Sequence, residues 1–245
     1  MTTKKSITQS NETLVQSSDR TGLKRRGFLG TISAGAFALG FSILKPLAVA
    51  AEKTSEFYSS EEPDKWFNQI KGKHRIVFDI KEPYDNPVLP FVWPRVFLMT
   101  NSVTGTPEKA CSVVMVLRHE AIPFALDSNL WEKYKLGEVF KINNAESNSP
   151  QTKNPYWKPA QGTFKAPGIG EVSIGINELQ DSGVMFCVCN AALTVYSAAV
   201  AGQMNMPAEE VYKEWTAGVL PGIQIVPSGV WAVGRAQEHG CAYCS

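Results

Sequence analysis

Val184-Met185-Phe186-Cys187-Val188-Cys189, running straight into Asn190-Ala191-Ala192-Leu193, decides the fold. The run from Val184 to Val188 is unbroken apolar sequence, the signature of a strand buried on both faces of a parallel sheet. Residues 190–202 follow as an Ala-rich helical segment, so strand passes into helix with almost no linker. The same pattern recurs on either side. Residues 74–80, 111–117 and 223–226 read as the first, second and fourth strands, each a bounded apolar run. Between them the spacing predicts helices over 90–103, with Pro94 in the first turns, over 127–136, with Asp127 or Ser128 as N-cap, and over 173–180, ended by Gly183. Pro207 opens a helix through Glu214, residues 229–239 form the last helix, and 241–244 read as a short final strand or tail. Strands alternating with helices imply right-handed βαβ units and an α/β fold with both sheet faces covered.

The composition agrees with that class. The chain has 245 residues, 44% of them apolar and 19% charged, which excludes a disordered tail, a collagen-like fibre and a small disulfide scaffold. Charge is unevenly spread. Residues 1–50 carry seven Lys or Arg against two acids, a net +5, whereas 51–245 carry seventeen against twenty-one, a net −4. A mildly acidic body lacks the cationic footprint that phosphate backbones demand, so nucleic acid is not an expected partner.

The basic segment reads as an address. Lys24-Arg25-Arg26-Gly27-Phe28-Leu29 leads into a small-residue apolar stretch, and Ala48-Val49-Ala50 offers a cleavage site, as in a secretory signal. Adjacent arginines, the long polar lead-in, glycines at 27, 30, 35 and 40 and Lys45 near the cleavage site resemble a twin-arginine signal. The expectation is therefore a signal peptide over 1–50, a linker and short helix over 51–72, and one domain over 73–245. Export by the twin-arginine machinery would leave the protein periplasmic, folded before transit and not stably inserted in the membrane. Residues 142–170 break the periodicity with Asn, Ser, Pro, Gly and Lys around Tyr156, Trp157 and Phe164, which suggests an insertion acting as a lid or subunit contact.

Chemistry is sought where strands end, because ligands of open α/β sheets bind beyond the strands' carboxyl ends. Those positions hold Arg118, His119 and Glu120, then Cys189 and Asn190, then Pro227, Ser228 and Gly229. Cys189 sits where strand becomes helix, so unpaired N–H groups and the positive end of the helix dipole would favour thiolate. Equally, it reads as a small buried hydrophobe, as free cysteine often is. Cys187, two residues earlier and on the same face by strand period, reads as inert core. His119 is read either as a proton donor or anion partner or as a loop histidine in a structural hydrogen bond; His74 and His239 read as structural. Cys241-Ala242-Tyr243-Cys244 is a Cys-x-x-Cys that lacks the histidine of a haem site and the strand-to-helix setting of a thioredoxin motif. It remains available for a disulfide, for resolving a persulfide, or for a soft-metal site with Cys187 and Cys189. Five cysteines leave at least one unpaired by intramolecular disulfides, and Cys111, within a strand, is a candidate for an inert thiol. No Gly-x-Gly-x-x-Gly or Walker loop is present, so no nucleotide cofactor is expected.

Three stretches together, Gly183 to Leu193, Leu220-Pro221-Gly222-Ile223-Gln224-Ile225-Val226-Pro227-Ser228-Gly229-Val230 and Gln237 to Tyr243, resemble the DsrE/DsrF-like family of small sulfur-relay proteins. Val113 to Pro123 resembles that family's second strand and pocket loop. The resemblance implies a three-layer, mostly parallel five-stranded sheet, homo-oligomers, and a cysteine after the third strand that accepts sulfur as a persulfide. By position that cysteine is Cys189, with Arg118 and His119 stabilising its anion and a sulfur-donor or acceptor protein as partner. Rival expectations are a periplasmic module holding soft metal through Cys187, Cys189, Cys241 and Cys244, and a non-catalytic oligomeric scaffold.

Overall fold

The structure, a computed structural model, describes residues 62–83, 88–89, 91–145 and 147–245, so the twin-arginine segment and most of the linker lie outside the described residues. A short helix α1 (Glu62–Phe67) precedes strand β1 (His74–Ile80). Helix α2 (Val92–Val103) and a 3-10 turn lead to β2 (Cys111–Leu117). A 3-10 segment (His119–Ala125), α3 (Ser128–Lys133) and α4 (Leu136–Val139) follow. After a small antiparallel pair, β3 (Lys165–Ala166) and β4 (Gly170–Glu171), come α5 (Ile176–Asp181) and β5 (Val184–Cys189). The chain then forms α6 (Asn190–Met204), α7 (Ala208–Ala217), β6 (Ile223–Val226), α8 (Gly229–Glu238) and β7 (Ala242–Cys244).

Five strands form one all-parallel sheet in the order β6-β5-β2-β1-β7. Strict side-chain alternation along each strand divides the core into two layers. On one face Phe78, Met115, Leu117 and Phe186 meet Leu98 of α2, Trp131 of α3, Leu179 of α5, Leu193 of α6 and Trp215 of α7. On the other, Val77, Val114, Val116 and Cys187 meet Phe67 of α1 and Ala232 and Ala236 of α8. This is the expected three-layer α/β fold.

The order of strands has a geometric consequence. From β1 to β6 each crossover steps one strand over, and right-handed connections put all of those helices on one face. From β6 the chain must return past β1, so α8 runs across the opposite face. Beyond the ends of β5 and β6 the chain therefore departs in opposite directions, and the N-termini of α6 and α8 lie side by side at that edge.

The aperiodic segment over 142–170 is anchored in the core: Ile142, Tyr156 and Phe164 are buried in the first core layer, and Tyr156 stacks on Phe91 at 4.0 Å. Buried Asn154 ties this segment down through its amide, which donates to the carbonyls of Phe124 and Leu126 at 2.8 Å each. The single helix over 127–136 is two helices, because Lys135 adopts φ 50° between them. Asp127 does cap the first, its Oδ1 accepting from the N–H groups of Asn129 and Leu130.

Candidate functional site

Cys189 is the N-cap of α6, with φ −73° and ψ 110°, and its Sγ accepts the N–H of Ala192 at 3.3 Å. A sulfur in that position takes the place that serine or aspartate oxygens usually fill. The turn around it is held from two sides. The N–H of Ala191 donates to the carbonyl of Pro227, linking the ends of β5 and β6, and Tyr212 of α7 donates its hydroxyl to Asn190 Oδ1 at 2.8 Å. Here strand alternation stops. Val188 and Cys189 both pack in the first core layer, so Cys189 does not share the face of Cys187 as the strand period predicts. Entry into the helix rotates the residue.

The two thiols consequently differ. Cys187 is fully enclosed among Val77, Val114 and Val116, and burial pushes its thiol far above the ordinary range, with the neighbouring Cys189 adding to it. Cys189 keeps 6% of its surface exposed at the carboxyl edge. The inert role expected of Cys187 follows from hydrocarbon on every side.

Arg118 leaves the end of β2 and runs beside Gly229, the first residue of α8, where a Cβ would come within 2.5 Å of Arg118 Cβ. Glycine at this helix start is thus a steric requirement. The guanidinium forms a two-pronged pair with Asp79 of β1, Nε to Oδ1 at 2.6 Å and the terminal nitrogen to Oδ2 at 2.9 Å. The Tyr243 hydroxyl of β7 donates to the same Oδ2 at 2.9 Å. These bonds raise the arginine's ionisation further, chiefly through the Asp79 hydrogen bond, with Tyr243 and the Cys189 sulfur contributing through space. Arg118 therefore directs its hydrogen bonds to Asp79, whose carboxylate balances its charge, and lies within electrostatic reach of the Cys189 sulfur.

His119 is exposed, in the left-handed region at φ 53°, and its Nδ1 lies 3.4 Å from the hydroxyl of Tyr196 on α6, the ring edge-on to that tyrosine. Burial and the nearby Glu120 push the Tyr196 phenol up, which keeps it a neutral hydroxyl. His119 thus has Tyr196, two turns along α6 from Cys189, as its partner. His74 bonds Thr106, and His239 stacks on Phe67, the structural roles expected of both.

The four-cysteine metal site is not assembled: among the described residues no three His, Cys, Asp or Glu side chains gather as ligands. Topology gives the reason. Three inter-strand steps separate β5 from β7, about 14 Å at roughly 4.8 Å each. The same separation removes Cys241 and Cys244 from resolving a persulfide on Cys189 in this conformation. All five cysteines are free thiols, and Cys111, the first residue of β2, is partly exposed.

Gly229 was among the strand-end positions read from sequence, whereas Asp79, Tyr243 and Tyr196, which bond Arg118 or His119 directly or through Asp79, were not singled out. Asp79 carried a usable signal. A lone carboxylate between Phe78 and Ile80 in a doubly covered strand demands a cation, and Arg118 is the one at the end of the neighbouring strand. A separate cavity of about 530 Å³ opens at the opposite, amino edge, lined by Lys71, Lys73, Lys109 and Cys111 among others. Its lysines are exposed, and neither α6 nor α8 starts there.

No protein-family model and no curated protein matches the chain. The solved structure of a protein of unknown function, MTH1491 from Methanobacterium thermoautotrophicum, aligns with 70% of this chain and 98% of its own, at 16% identity and a TM-score of 0.34. No helix of the described residues is long and apolar enough to cross a membrane.

Proposed function

We propose that the protein is an exported, DsrE-like sulfur carrier in which Cys189 accepts sulfane sulfur as a persulfide. The observation that carries this reading is the Cys189 sulfur at the N-terminus of the 15-residue helix α6, accepting a backbone N–H and lying within the field of Arg118. An anionic sulfur is what such a position stabilises. In the reaction the Cys189 thiolate attacks the outer sulfur of a donor persulfide, R–S–SH. The new Cys–S–S bond forms as the donor S–S bond breaks, and the donor leaves as its thiol with the proton. Transfer to an acceptor thiol is the same exchange in reverse.

The test uses a small-molecule persulfide donor and mass spectrometry of the intact protein. One added sulfur atom is expected on the wild type and on Cys187→Ser and Cys111→Ser, and none on Cys189→Ser. Serine is itself a good N-cap, so that variant keeps the helix start and isolates the sulfur. Equal labelling of Cys189→Ser overturns the reading. The export part is checked with Arg25→Lys/Arg26→Lys, for which unprocessed precursor should accumulate in the cytoplasm; normal processing removes it.

A second reading, a non-catalytic oligomeric module, draws on the small residual exposure of Cys189 and its place in the main core layer. Iodoacetamide distinguishes the two, since a structural thiol escapes alkylation in the native protein.

A further inference from the structure

The Cys-x-x-Cys over 241–244 is placed so that its own disulfide is incompatible with the fold around it. Helix α8 ends in a Schellman turn: Gly240, at φ 83°, donates to the carbonyl of Gln237, and Cys241 donates to that of Ala236. The Cys241 side chain is thereby buried in the second core layer with Ala232 and Ala236. β7 then pairs with β1 in parallel, Val77 opposite Tyr243 and Phe78 opposite Cys244. Cys244 packs against the first layer, on the other face of the sheet. Residues three apart in extended chain lie about 10 Å apart at Cα and point to opposite faces, whereas a disulfide needs Cα atoms within about 7 Å. Between the two cysteines, Tyr243 holds Asp79.

We infer that Cys241 and Cys244 form a thiol–disulfide switch whose oxidation releases β7 from the sheet edge and withdraws Tyr243 from Asp79. The oxidant is a small disulfide, R–S–S–R. The Cys244 thiolate attacks one of its sulfurs and expels the first R–S⁻. The Cys241 thiolate then attacks the Cys244 sulfur of the mixed disulfide and expels the second. Two protein thiols lose two electrons and two protons, and the small disulfide becomes two thiols. β7 is suited to opening, since it has three residues and, among the described residues, pairs only with β1. While β7 stays docked, burial pushes the Cys241 thiol up to about 11 against the opposing pull of Arg75, so the second step waits for release. The inference does not rest on the sulfur-carrier reading, because Cys189 takes no part in it.

The full chain is titrated with oxidised glutathione, the 241–244 peptide is assayed by mass spectrometry, and amide exchange is followed at residues 74–80 and 242–244. A Cys241–Cys244 disulfide is expected, together with at least about tenfold faster exchange of the β7 amides and their β1 partners, reversed by reductant. Cys244→Ser, which cannot close the ring, should keep its protection under the same oxidant. Three results overturn the switch: a disulfide with protection unchanged, a pair that stays reduced until the whole protein unfolds, or equal loss of protection in Cys244→Ser.

Discussion

The two ends of the sheet each hold a cysteine near cationic side chains, yet they are built differently. At the amino edge Cys111 opens β2, with Lys71, Lys73 and Lys109 around the same cavity. Burial and Glu108 both push its thiol up, and the thiol donates to the carbonyl of Pro107, 3.9 Å from Sγ. At the carboxyl edge Cys189 meets an amide N–H and the field of Arg118. The polarity of a parallel sheet accounts for the contrast. Long helices begin where strands end, so N–H groups converge at the carboxyl edge and carbonyls at the other. A cluster of lysines does not replace that, because exposed ammonium groups are hydrated and screened.

The largest expected effect breaks the carboxyl edge at its charge pair. Asp79 is buried and Arg118 mostly so, and deleting one member of such a pair leaves the other charge uncompensated. Asp79→Ala should lose about 3 kcal/mol of stability by chemical denaturation, whereas the double variant Asp79→Ala/Arg118→Ala should lose less than the two single losses combined. Strict additivity would show that the pair carries no coupling and that the edge is held by packing alone.

Much of this arrangement was legible in the sequence, and the exceptions have physical causes. β1, β2 and β6 fall on the bounds read from apolar runs, because doubly covered strands leave no room for polar residues. The break at Lys135 was hidden, since no Gly or Pro marks a left-handed residue there. Residues 142–170 look like surface by composition, yet Tyr156 and Phe164, a few anchors in a polar stretch, wedge them into the core. The environment of Cys189 depended on where alternation ends, and periodicity cannot fix that to one residue when a strand runs directly into a helix. The Arg118–Asp79–Tyr243 cluster joins β2, β1 and β7, contacts that only the strand order creates.

The smallest expected effect sharpens the contrast from the amino edge. A thiol whose pKa is raised in the folded state favours the fold below its ordinary value of 9.0, and that contribution is lost as pH climbs from there through the raised value. Cys111 should accordingly react with iodoacetamide at pH 8 more slowly than a cysteine in an unfolded peptide, despite being half-exposed. Glu108 is the lesser of its two causes and its charge is paired with Arg95 at 3.5 Å, so Glu108→Gln should accelerate alkylation by only about twofold. A much larger acceleration would mean that the carboxylate, not burial, holds the thiol protonated, and that the lysines leave its field unscreened. The amino edge would then be an electrostatic site of opposite sign to the carboxyl edge, and sheet polarity would not be enough to explain why the two cysteines differ.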